Sequence, residues 1–112
     1  MIVTTVARYE RPSTIWENAR SDKRTYHFVE MLCEVIDYDS PSETELKYGF
    51  APSKVINNDT GKQIHKVYKV QCKGVNGKWT VLGLFDDDKS SANQLVKSIL
   101  NDPWYKGWKR VS

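Results

Sequence analysis

The chain has 112 residues, enough for one domain with a single modest hydrophobic core. Seventeen basic and 14 acidic residues leave a net charge of +3, too mild to demand nucleic acid and of the wrong sign for an acidic, DNA-mimicking surface. Met1 leads straight into Ile2-Val-Thr-Thr-Val6 with no basic start, and no stretch approaches the roughly 20 apolar residues of a membrane span, so neither a signal peptide nor a membrane segment is expected and the expected location is cytoplasmic.

Ile2 to Tyr9 is rich in β-branched residues and reads as a strand, broken at Arg11-Pro12. Thr14-Ile-Trp-Glu17 has the form of a capping box, which predicts a short helix to about Ser21 with Ile15, Trp16 and Ala19 turned inward. The run from Thr25 to Tyr38 supports two readings. As a helix it would line up His27, Glu30, Glu34 and Asp37 in one polar stripe. Lys23 and Arg24 would then crowd the positive end of the helix dipole, and Asp37 and Asp39 the negative end. The residue types favour a strand, with room for a bulge. Asp39 to Ser42 reads as a turn, and Leu46 to Phe50 as a short strand. Turn chemistry follows at Ala51-Pro-Ser53 and Asn57 to Gly61, around Val55 and Ile56.

The clearest signals lie between Lys66 and Leu100. Two alternating runs flank Val75-Asn76-Gly77-Lys78, where Asn-Gly predicts a two-residue type I′ turn joining strands over 63–73 and 78–85. Counting from that turn pairs Cys72 with Val81, Val70 with Gly83 and Tyr68 with Phe85, and puts Tyr68, Val70, Cys72, Val81 and Phe85 on the core face. Leu82 and Leu84 make the second strand apolar on both sides, which suggests a place inside the sheet. Asp88 or Ser90 then caps a helix over about 89–101, with Ala92, Leu95, Val96, Ile99 and Leu100 on one face and a stop at Asn101-Asp102-Pro103. The fold class expected is α+β: one small domain over 1–112, an antiparallel sheet containing the hairpin 63–85, and the C-terminal helix packed on one face.

Chemical signatures are sparse. Cys33 and Cys72 fit no metal or redox spacing and read as buried free thiols, His27 and His65 stand alone, and Asp86-Asp-Asp88 reads as a solvated loop with a cap. No metal and no cofactor is expected. No nucleophile, base and orienting group occur as a visible set, so the protein is expected not to be an enzyme.

The segment 103–112 is the best functional candidate. Trp104, Tyr105 and Trp108 interleave with Lys106, Lys109 and Arg110. Aromatic faces and cations in this mixture suit a protein interface, and equally a single-stranded nucleic acid or nucleotide. The bland alternative is a tail folded back to fill the core with its charges in water. A second basic group, Arg8, Arg11, Arg20, Lys23 and Arg24, would merge with the tail if the first strand and the tail are neighbours.

Two short resemblances touch the strand-to-helix segment. Trp79-x-Val81-x-Gly83-x-Phe85 followed by Ala92-x-x-Leu95 and Ile99 is similar to the strand-to-helix half of SPOR domains, which bind peptidoglycan glycan strands. Leu82-Gly83-x-Phe85-Asp86 followed by Ala92 resembles the end of the sheet and start of the helix in AP2 DNA-binding domains. Residues 1–60 supply no second SPOR half, and Trp79 and the leucine-glycine run lie in one continuous strand where an AP2 domain would need two, so no site residue is carried over from either. The expectation is a non-enzymatic binding protein with a protein partner, acting as an accessory or inhibitory factor. Nucleic-acid binding is the first alternative and a structural subunit the second; a homo-oligomer is compatible with all three.

Overall fold

The ambiguous run decides the architecture. In the computed structural model, which describes residues 1–12, 28–103 and 105–112, its described part is a strand over Phe28–Asp37. The elements in chain order are β1 (Ile2–Glu10), β2 (Phe28–Asp37), α1 (Glu43–Tyr48), β3 (Val55–Ile56), β4 (Gln63–Ile64), β5 (Lys66–Gly74), β6 (Trp79–Asp86), α2 (Lys89–Leu100) and β7 (Lys109–Arg110). Five strands form one antiparallel sheet in the order β6-β5-β2-β1-β7, and β3 pairs with β4 in a separate small sheet. The β-branched and apolar run of β2 therefore occupies the centre, where a strand has neighbours on both edges. The expected helix over Thr14 to Ser21 lies outside the described residues.

The sheet carries α2 on one face, giving the expected α+β domain. Met31, Cys33 and Val35 of β2 lie opposite Cys72, Val70 and Tyr68 of β5, so all six share that face. Phe28, Met31, Val70 and Cys72 form the buried cluster with Ala92 and Ile99 of α2, and Leu95, Val96 and Leu100 pack against it. Asp88 caps α2, its carboxylate accepting from the Ser91 amide and hydroxyl. Gly83 lies beneath the helix. A Cβ there would come within 2.6 Å of the Phe85 ring and 2.8 Å of a Leu95 methyl, so the bare backbone is what lets α2 approach.

On the opposite face charge replaces the helix. Glu30 bridges Arg8 at 3.1 Å and Lys73 at 3.2 Å, and Gln71 donates to Glu34. Burial alone would raise the Glu30 carboxyl, but the two cations outweigh it and hold it below its ordinary value.

Several expectations are corrected. Gly77 is left-handed (φ 80°) but Asn76 is not, so the turn is a three-residue loop, closed by bonds from the Gly77 amide to the Gly74 carbonyl and from the Gly74 amide to the Lys78 carbonyl. The longer loop moves the register by one: Cys72 faces Thr80, not Val81. A bulge at Leu82 restores it, so Val70 faces Gly83 and Tyr68 faces Phe85 as counted. Leu82 thereby packs against the core and Val81 is exposed. β6 lies at the edge of the sheet, not inside it. The 63–73 strand is split at His65, where the main-chain amides of His65 and Lys66 donate to Asp87. Leu46 to Phe50 is not a strand. Ser42 and Glu45 form a capping box, and Leu46 to Tyr48 belong to the short helix α1, which ends at Gly49.

Candidate functional site

After α2 the chain doubles back along β1. β7 pairs Arg110 with Tyr9 and Lys109 with Glu10, and the Val111 amide donates to the Arg8 carbonyl at 2.8 Å. This return brings the Tyr105 ring onto the start of β2. The Tyr105 ring lies 5.6 Å from Phe28. Arg11, only 5 % exposed, lies against the tail, with its guanidinium 5.0 Å from the Tyr105 ring and 5.8 Å from Trp108. Its Nε donates to the Phe28 carbonyl and its main-chain amide to the Val29 carbonyl. Tyr105 and Trp108 thus meet a cation of the same chain, a use of Arg that needs its planar, weakly hydrated guanidinium.

The six tail candidates divide. Tyr105 and Trp108 are half-buried against the core, Lys106, Lys109 and Arg110 are exposed, and Trp104 lies outside the described residues. Among the described residues, Trp108 Nε1 is buried with no hydrogen-bond partner. The tail and β1 are neighbours, as the merged basic patch requires, but Arg11 is buried and Arg8 is paired with Glu30. Arg20, Lys23 and Arg24 lie outside the described residues.

Beside the tail, on the helix face, a groove of about 310 Å³ opens between α2 and the strands. Cys33 and Tyr68 contribute from the sheet and Ala92 and Val96 from α2, while Lys89 and Arg110 add positive charge from either side. Burial pushes the Cys33 thiol up, against the opposing pull of Arg110. Burial, reinforced by Cys33, pushes Cys72 up to about 12. Both cysteines are free thiols, and at neutral pH both stay protonated and poor nucleophiles. The groove can receive an apolar group with an anionic end; its one thiol, Cys33, is held in the protonated form by burial.

A third surface escaped the sequence reading. Leu46, Tyr48 and Phe50 on and just after α1 are exposed, as is Ile56 on β3, and α1 buries none of its residues. Tyr48 and Phe50 are in ring contact at 6.2 Å, with the Lys47 ammonium 5.7 Å from the Tyr48 ring. The signal was present in the spacing: apolar residues at every second position cannot share one face of a helix, and Ser42-x-x-Glu45 marks a helix start. No protein family, curated protein or solved structure matches this chain.

Proposed function

We propose that the protein is a non-catalytic binding protein that acts by docking onto another protein through the arm built by α1 and the segment after it. The observation that supports this reading is the exposure of Leu46, Tyr48 and Phe50 within five residues of chain. Burying side chains of this kind is worth about 1.5–3 kcal/mol each, and natural chains seldom leave such a group in water without use. Aromatic rings beside a lysine are the composition of an interface anchor. The test is affinity capture from the source cell, with nuclease, comparing the wild type with Leu46→Ser/Phe50→Ser. A specific protein retained by the wild type and lost by the variant supports the reading. Equal retention by both refutes the arm, and a partner lost on nuclease treatment refutes protein binding.

A second reading draws on the groove and tail. Arg110, Lys89, Lys66 and Lys69 are among the groove residues against one carboxylate, Glu34, and Lys106 and Lys109 lie exposed nearby in the chain. That balance favours an acidic ligand such as a nucleotide or single-stranded nucleic acid. Steep salt dependence of binding, flattened by Lys109→Ala, supports it; salt-independent binding refutes it.

A further inference from the structure

β6 is an edge strand of eight residues, and from Trp79 to Phe85 it carries no charge and no proline. Natural edge strands are normally blunted by lysine, proline or an inward charge, because their unpaired amides and carbonyls recruit other strands. Here the exposed side of β6 is apolar as well: Trp79 is 41 % exposed, Val81 47 % and Leu84 59 %. Among the described residues no strand pairs with this edge. The bulge at Leu82, which elsewhere would twist an edge away, instead brings Val81 and Leu84 to the same face, the one away from α2.

We infer that this edge is the self-association site of the protein, pairing antiparallel with β6 of a second copy to make one continuous ten-stranded sheet across a two-fold axis. Charge selects this occupant and this direction. Lys78 stands at one end of β6 and Asp86-Asp87-Asp88 at the other. Antiparallel self-pairing sets each lysine against the acidic end of the second copy, whereas parallel pairing would stack the two acidic ends. The faces select the register. Directly opposite residues in an antiparallel pair share a face, so Val81 meets Leu84 of the second copy and Trp79 meets its Asp86. Lys78, just before the strand, then comes to the acidic end of β6 of the second copy, next to Asp86. The interface uses neither α1 nor the groove, so it stands or falls independently of the function proposed above.

Sedimentation over the micromolar range, on the full chain, tests this. The wild type should show a monomer–dimer equilibrium. Val81→Lys and Leu84→Lys, both at exposed positions, should abolish the dimer, and Lys78→Glu should weaken it by about ten-fold at low salt by opposing like charges at both ends. Amide exchange of the wild type gives a second readout: the outward-pointing amides of β6 should become protected as concentration rises. A wild type monomeric throughout, a dimer indifferent to both lysine substitutions, or β6 exchange that ignores concentration would each overturn the assignment. So would a monomer whose β6 edge is protected only by a different protein.

Discussion

Arg11 shows how one residue changes the meaning of a segment. In sequence it belongs to a basic patch; in the fold it is buried, bonded to the Phe28 carbonyl, and covered by Tyr105 and Trp108. Lysine keeps the charge but loses the flat face and the Nε donor, so Arg11→Lys should lower stability by about 1–3 kcal/mol in urea unfolding followed by tryptophan fluorescence. A loss below about half a kcal/mol would mean that the stack contributes little. The thiols offer a second check at this scale. Cys72 is fully buried and its pKa is pushed up to about 12, so a thiol reagent at neutral pH should leave Cys72 untouched in the native protein and titrate both cysteines after denaturation. Rapid native labelling of Cys72 would show that the core opens.

The helix-on-sheet contact is the element on which the core depends. Leu95 packs against the buried cluster and touches the space above Gly83, so Leu95→Ala should cost about 2–5 kcal/mol, toward the lower end because the side chain is only half-buried. Gly83→Ala should cost about 1–3 kcal/mol by pushing α2 off the sheet. A neutral result for both would contradict the packing. How much of this was legible follows from where the information sits. The α2 helix was readable because cap, periodicity and stop are all local: Asp88, the apolar stripe and Asp102-Pro103. The hairpin was readable except at its ends, since Asn-Gly allows both a two-residue and a three-residue loop and only the bulge at Leu82 settles the phase. The edge position of β6 was not readable at all. Apolar side chains on both faces suit a central strand and an edge that is covered by something else, and a strand's neighbours are not written in its own residues. The tail is ambiguous in sequence for the same reason: Trp108 suits an interface and a core lining equally well, and the cation it meets in the fold, Arg11, lies nearly a hundred positions away in the chain.

At the scale of the whole molecule, charge ties together the face of the sheet opposite α2 through Glu30. A carboxyl held below its ordinary pKa stabilises the fold fully above its unfolded-state value and loses that contribution as pH falls through the folded value. Glu30→Gln should therefore be less stable than the wild type at neutral pH, and the two should converge in acid. A constant difference across pH would locate the effect in packing rather than charge. The described elements are also unevenly covered: the Tyr105 and Trp108 rings are turned onto the core, while the α1 arm buries none of its residues. The arm is the proposed docking surface for that reason. The most direct test is amide hydrogen exchange of the protein alone and with its captured partner. New protection is expected over residues 43–56, with residues 105–112 already protected in the unbound protein. Protection gained only over 105–110, with the arm unchanged, would contradict it.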